Sequence, residues 1–287
     1  FKHKIKNENS YIETGIDELD EFFNGGIFNE LYVLGAPSAI GKTTFCLQIA
    51  DNLAKKEHDV MYFTLEQSKV QLISKTLTRI NYHKNSKTIT PSDITKYEGI
   101  DENKINDLIS YYGNSIGNNM FIHDDIKGLE DIKTRIEENM RRRNKKPIVF
   151  IDYLQIIPSA NNITSSKEKI DQIIFKIRKL SNKYNLPIFL ISSFNRSSYA
   201  KEVKYQSFKE SGAIEYTVDV MLGMQYSQID YTNEEKDIYE KIKSINKSED
   251  RDIDIVMLKN RNGPISNNLK TRFLPSQSLF KGFSIKQ

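Results

Sequence analysis

Among 287 residues there is one cysteine, Cys46, with four histidines and seven prolines, and no apolar run approaches the length of a membrane span. Each shortage excludes something. A single thiol cannot form an intrachain disulfide, which suits a reducing, cytoplasmic setting. Cys46 falls in a helix-patterned stretch, where a thiol serves as a small buried hydrophobe. His3, His58, His83 and His123 are scattered without metal-ligand spacing, so no zinc site is expected. A bilayer crossing takes roughly 20 consecutive apolar residues. Neither such a run nor a signal-peptide pattern is present, and no membrane partner is expected. The chain opens on Phe1 rather than Met, which reads as a piece of something longer.

What remains is the composition of a soluble globular protein, 38% hydrophobic and 28% charged, with a net charge of +4. A pI near 8.8 permits nucleic-acid binding without demonstrating it. No internal repeat or low-complexity block interrupts the chain. Residues 1–12 read as the remnant of a linker, and residues 13–287 as one domain.

The most informative segment is Ala36-Pro37-Ser38-Ala39-Ile40-Gly41-Lys42-Thr43-Thr44. It follows the apolar run at residues 31–34 and opens a stretch with Phe45, Ile49 and Leu53 at helical spacing. Strand, small-residue loop, Lys-Thr and helix make a P-loop, whose backbone N–H groups and helix N-terminus surround phosphate. Lys42 would reach the β- and γ-phosphates of ATP, and the Thr43 hydroxyl would hold Mg²⁺. The first glycine of the strict spacing is Ala36, with Gly35 one place earlier, and alanine can make that turn only at negative φ.

Thr14-Gly15-Ile16-Asp17 reads as a helix cap, and Asn24-Gly25-Gly26 as that helix's stop. Beyond the P-loop, strands are expected at residues 60–65, 120–123, 148–151, 187–192, 218–224 and 253–258. Helices are expected at 68–80, 129–144 and 167–184. Residues 81–118 give no clear pattern except a helix start at Pro91-Ser92-Asp93. Strands alternating with helices from 31 to about 192 predict one parallel sheet covered on both faces. Hydrolysis also needs a carboxylate for the metal and one to orient water. Asp152 ends a continuous apolar run, as a Walker B acid does, and Glu66 ends the strand after the P-loop helix.

Leu65-Glu66, Ile151-Asp-Tyr-Leu-Gln155, Ser192-Ser-Phe-Asn-Arg196, Glu210-Ser-Gly-Ala-Ile-Glu215 and Lys259-Asn-Arg-Asn-Gly263 occur in this order. Together they resemble the ATPase domain of DnaB-type replicative helicases, from about Thr14 to about Phe280. The resemblance implies a RecA-like fold with a mostly parallel sheet flanked by helices. It implies that Glu66 is the catalytic carboxylate and Asp152 the Walker B acid. It also implies that Arg261 is an arginine finger reaching the ATP of a neighbouring subunit, with Lys259 beside it, in a homo-hexamer. Where that family usually carries a Gln thought to sense the γ-phosphate, this chain has Ser193. The family's helical N-terminal domain, which helps form rings and bind primase, is missing; either it was removed or the chain is a lone-domain relative.

In RecA-like rings, two loops line the channel for single-stranded DNA. Here they correspond to residues 159–169, with Lys167 and Lys169, and 197–211, with Lys201, Lys204 and Lys209 among Tyr199, Tyr205 and Phe208. The cations suit phosphates and the aromatics suit unpaired bases; the alternative is a solvated loop whose aromatics pack locally. The basic run at residues 140–146 ends a helix and is assigned to solvent. The function implied is an ATP-driven motor that translocates on single-stranded DNA and unwinds duplex. The rivals are a RecA- or KaiC-like ATPase that does not unwind, and a nucleotide-gated replication loader or regulator.

Overall fold

Apolar strands that alternate with amphipathic helices fold into three layers, described here for residues 11–84, 89–158, 165–209 and 211–282 by a computed structural model. Helix α1 (Asp17–Phe22) precedes β1 (Leu31–Ala36), α2 (Lys42–Lys55) and β2 (Val60–Thr64). Helices α3 (Lys69–His83), α4 (Pro91–Lys96) and α5 (Glu102–Tyr112) lead to β3 (Met120–His123). Then come α6 (Leu129–Arg143), β4 (Ile148–Asp152), α7 (Ser166–Tyr184) and β5 (Ile188–Ser193). The remainder is α8 (Ser211–Thr217), β6 (Val220–Tyr226), α9 (Glu235–Ile245), β7 (Arg251–Asn260), β8 (Leu269–Leu274) and β9 (Leu279–Gly282).

Among the described residues the strands form one nine-stranded sheet in the order β3-β2-β4-β5-β1-β6-β7-β8-β9. The pairings from β3 through β6 are parallel. Those from β6 through β9 are antiparallel. Successive side chains of a strand face opposite sides, and both sides here are covered. In β1, Tyr32, Leu34 and Ala36 join the core under α2 and α3, while Leu31 and Val33 join the core under α6 and α7. That two-sided burial is why the parallel strands read as continuous apolar runs.

One row of the first core is aromatic. Tyr62, Phe150, Phe189 and Tyr32 sit in register on β2, β4, β5 and β1. Their rings are near parallel, with centroids 5.7, 4.8 and 4.4 Å apart along the row.

The start of α1 differs from the expected cap. Ile16 holds the N-cap position and makes no side-chain cap. Thr14 instead accepts the Ile16 N–H at 3.2 Å, and its own N–H donates to Asp20 at 2.7 Å. The irregular stretch before β3 contains α4, capped by Thr90, and α5, capped by Asp101. Residues 1–10, most of the expected linker, and 159–164 of the first expected DNA loop lie outside the described residues.

Candidate functional site

In a parallel sheet, ligands bind beyond the carboxyl ends of the strands. There the turns after β1, β2, β4 and β5 enclose a cleft of about 400 Å³, lined by Ser38, Lys42, Thr43, Glu66, Asp152 and Ser193 among others. The P-loop runs from the end of β1 to the start of α2. Ala36 is the last residue of β1 and is buried, so the turn begins after it. The left-handed positions are Ala39 at φ 66° and Gly41 at φ 109°. A side chain on Gly41 would also meet the Phe280 ring at 2.8 Å. Gly35 has a different task. A Cβ there would lie 2.3 Å from Phe208 and 2.5 Å from Phe194, so its bare backbone makes room for two rings, not for phosphate.

Lys42 Nζ folds back on its own loop, donating to the carbonyls of Pro37 at 2.9 Å and Ala36 at 3.2 Å. Burial lowers its pKa, and Asp152 and Glu66 act against that. The Thr43 hydroxyl donates to Asp152 Oδ2 at 2.7 Å, and Tyr62, at the end of the aromatic row, donates to the same oxygen at 3.3 Å. Asp152 is buried, and desolvation raises its pKa against the hydrogen bond from Thr43; Glu66 adds to the rise. A buried carboxylate beside a hydroxyl is a set of hard oxygen donors, the kind that suits Mg²⁺ shared with substrate phosphates.

Glu66 stands two residues past β2. The Thr64 hydroxyl bonds Gln67 both ways, accepting its N–H at 3.2 Å and donating to its carbonyl at 2.7 Å. That tight turn leaves Glu66 exposed, and it lines the same cleft as the P-loop. Just beyond, Ser68 and Gln71 form a capping box that fixes the start of α3. Lys75, one helical turn further on, also lines the cleft, and burial lowers its pKa against the pull of Asp152. Sequence reading missed Lys75; the only signal was its place on α3, nine residues after Glu66, facing a cleft that exists only once the sheet is assembled. Arg251, Phe273, Pro275 and Ser278 also line the cleft. Arg251 donates to Ala39 O at 2.7 Å and lies over the Phe273 ring.

Lys259 and Arg261 are not in this cleft. They gather at the carboxyl end of α8, where Lys259 Nζ donates to Glu215 O at 2.6 Å and Val218 O at 2.9 Å. Arg261 donates to Tyr216 O at 2.8 Å and to the carboxylate of buried Asp219 at 3.3 Å. Helix carbonyl ends favour cations. Asp219 also receives Arg178 and the Leu31 N–H.

The expected DNA-facing groups divide. Lys201, Lys204 and Lys209 are exposed. Lys167 and Lys169 lie in the first turn of α7 rather than in a loop. The aromatics of the second segment do not stand free for bases, contrary to one of the two expectations. Phe208 is fully buried against Phe194, Tyr205 donates to Leu258 O, and Tyr199 bonds Ser38. Phe208 packs where the bare backbone of Gly35 on β1 leaves room for its ring. Cys46 is buried and unpaired, as expected of a helix-core thiol.

A family profile described as DnaB-like helicase C-terminal domain matches residues 11–282. A probable replicative DNA helicase of Trieres chinensis is 25% identical over 283 residues, covering 96% of this chain and 58% of that protein. The replicative DNA helicase DnaC of Bacillus subtilis is 26% identical over 270 residues, covering 92% and 55% respectively. The chain thus spans little more than half the length of these relatives. Two solved structures share the fold. An isolated ATPase domain has a TM-score of 0.79 at 21% identity, over 99% of this chain and 96% of that one. A DnaB-like replicative helicase, studied with its interactions with primase, has a TM-score of 0.77 at 21% identity, over 97% and 64%. The shared fold is the RecA-like α/β arrangement. Among the described residues, no helix is long and apolar enough to cross a membrane.

Proposed function

Because the chain belongs to the family of DnaB-like helicase C-terminal domains, we propose that it is an ATP-hydrolysing motor that moves along single-stranded DNA and unwinds duplex at replication. The observation that carries this reading is the Thr43–Asp152 hydrogen bond, with Glu66 lining the same cleft as the P-loop. In this reading the amides of residues 37–44 cradle the triphosphate, and Lys42 leaves its own carbonyls for the β- and γ-phosphate oxygens. Thr43 and Asp152 hold Mg²⁺, which when bound neutralises charge on those phosphates. Glu66 orients the attacking water.

Lys259 and Arg261 lie outside the cleft of their own subunit, which supports their acting on the nucleotide of a neighbour. A site shared between subunits lets hydrolysis alter the contact between them, and so move a ring, here a homo-hexamer, along a strand. Lys201, Lys204 and Lys209 are the cations we assign to DNA phosphates, with Lys167 and Lys169 secondary. For the whole protein, contact with a primase is proposed by analogy with the solved relative.

The test is ATP turnover per subunit against protein concentration, with and without single-stranded DNA. Turnover that rises with concentration and rises again with DNA is expected. A measurable rate indifferent to both would overturn the shared site and the DNA motor together. Tight nucleotide binding without turnover would replace this reading with a nucleotide-gated loader or regulator.

A further inference from the structure

The chain from Asn195 to Phe208 is a closed loop. Asn195 N–H donates to Ser207 O at 2.9 Å, and its side chain donates to Phe208 O at 3.2 Å. Phe194 and Phe208 bridge its two ends and occupy the space above Gly35, immediately before the P-loop. Val203 seats the middle of the loop against β6, where a Cβ on Gly223 would lie 2.2 Å from it. On the rim Lys201 and Lys204 are exposed. The loop also meets the P-loop through a polar contact, in which the Tyr199 hydroxyl lies 3.1 Å from Ser38 Oγ.

A second side chain placed between the cleft and this region is already committed. Gln155 donates to Ser192 Oγ at 2.8 Å and accepts the Ser193 N–H at 3.3 Å, so both ends of its amide are tied to β5. Ser193, paired with Ala36 across the sheet, has only a short hydroxyl to offer. We infer that Tyr199 is a positioning residue that transmits nucleotide occupancy from the P-loop, through Ser38, to the basic loop at 195–208. This rests on the nucleotide-driven reading above. The chemistry is a competition for one hydroxyl. Phosphate in the P-loop offers Ser38 a charged acceptor, and charge-assisted hydrogen bonds are roughly twice as strong as neutral ones. Either hydroxyl can donate in the Ser38–Tyr199 contact. Phosphate that accepts the hydrogen bond from Ser38 leaves Tyr199 only the donor role and draws Ser38 Oγ away from it, while the aromatic anchors at Phe194 and Phe208 stay fixed. The loop turns about those anchors, and its lysines turn with it.

The experiment compares the protein with its Tyr199→Phe variant, which keeps the ring and removes only the hydroxyl. Trypsin cleavage after Lys201 and Lys204 is timed with and without a non-hydrolysable ATP analogue and Mg²⁺. ATP turnover is measured with and without oligo(dT). In the unaltered protein the analogue should change the cleavage rate by about two- to tenfold, the range set by one net hydrogen bond. In Tyr199→Phe that response and the DNA stimulation of turnover should vanish. Analogue affinity should rise by up to about tenfold because the competing hydroxyl is gone, and DNA-free turnover at saturating ATP should be unchanged. A purely structural role would instead lower the melting temperature and leave the analogue response intact. Cleavage indifferent to the analogue in the unaltered protein, or an undiminished response in the variant, overturns the inference. Absence of turnover in the unaltered protein would fail the motor reading, yet the cleavage arm would still decide on Tyr199.

Discussion

Lys42 and Lys259 each donate to two backbone carbonyls, Pro37 and Ala36 for the first and Glu215 and Val218 for the second. Their electrical surroundings are opposite. Around Lys42 the charged neighbours are Asp152 and Glu66, which favour its ammonium against burial. Around Lys259 burial is joined by repulsion from Arg261 ahead of any attraction from Asp219 and Glu215. Lys42 lines a cleft whose own carboxylates act against the effect of its burial. Lys259 and Arg261 crowd together at an exposed edge, where the helix carbonyls and one buried carboxylate hold them. The difference teaches that a cation awaiting a ligand inside its own subunit is balanced there. On the proposed reading, a pair that serves a site elsewhere is kept in position but left with charge to spare.

Breaking each side of this comparison should give different signatures. Lys42→Ala should lower turnover on the order of 10³-fold and weaken nucleotide binding, since it removes charge from the phosphates in its own cleft. Arg261→Ala should lower turnover by about 10³ or more at unchanged nucleotide affinity. Mixing the two variants sharpens the contrast. Mixed assemblies contain sites with an intact P-loop and an intact finger, so phosphate release should partly recover; no recovery would place both residues in one subunit's site.

Asp219→Asn is the next largest effect, on stability. It leaves Arg178 and Arg261 facing an uncharged group, and removing one partner of a buried ion pair costs about 3–5 kcal/mol. Both arginines reach solvent, so about 3 kcal/mol is expected, read as a shift of the urea midpoint. Gly35→Ala should cost about 1–3 kcal/mol by overpacking against Phe194 and Phe208, whereas Ala36→Gly should cost only about 0.5–1 kcal/mol through backbone entropy. Equal costs for the two would mean that the rings do not decide the position.

The smallest effect is a pH dependence. Burial raises the Asp152 pKa in the folded protein, so folding favours its protonated form. That contribution is complete below the ordinary value of 3.8 and is lost as pH rises through the raised value. Asp152→Asn, permanently neutral, should therefore raise the melting temperature of the nucleotide-free protein at neutral pH. The gain should shrink as pH falls towards the ordinary carboxylate range, and a gain that grows instead would contradict the burial argument.

Much of this was legible in the chain. The P-loop, Glu66 and Asp152 declare themselves because strand ends in a parallel sheet deliver them to one place, and apolar runs mark those strands. The antiparallel end was harder to read. β8 alternates half-exposed residues, Leu-Lys-Thr-Arg-Phe-Leu, and β9 has four, so neither shows the unbroken apolar run of a covered strand. Helix α9 presents mostly charge, with Ile238 and Ile245 as its buried residues. Lys75 was not placed at all, and Tyr199 was placed only in the expected DNA loop, because its contact with Ser38 joins residues far apart in sequence. The fates of Tyr205 and Phe208 depended on the bare backbone of Gly35 and on a carbonyl of β7, neither of which local spacing encodes.

The row of four stacked rings has a mechanical meaning. Tyr62, Phe150, Phe189 and Tyr32 pin β2, β4, β5 and β1 like rivets through four planks. One plank cannot slide or rotate against the next without pulling two flat faces apart inside a packed core. Asp152 and Ser193 end two of these planks, and the turns carrying Glu66 and the P-loop leave from the ends of the other two. Their bases therefore share a single stiff chassis, and Tyr62 fastens that chassis directly to Asp152. Any working stroke has to be taken up beyond the strand ends, in hinged parts bolted to a frame that itself stays still.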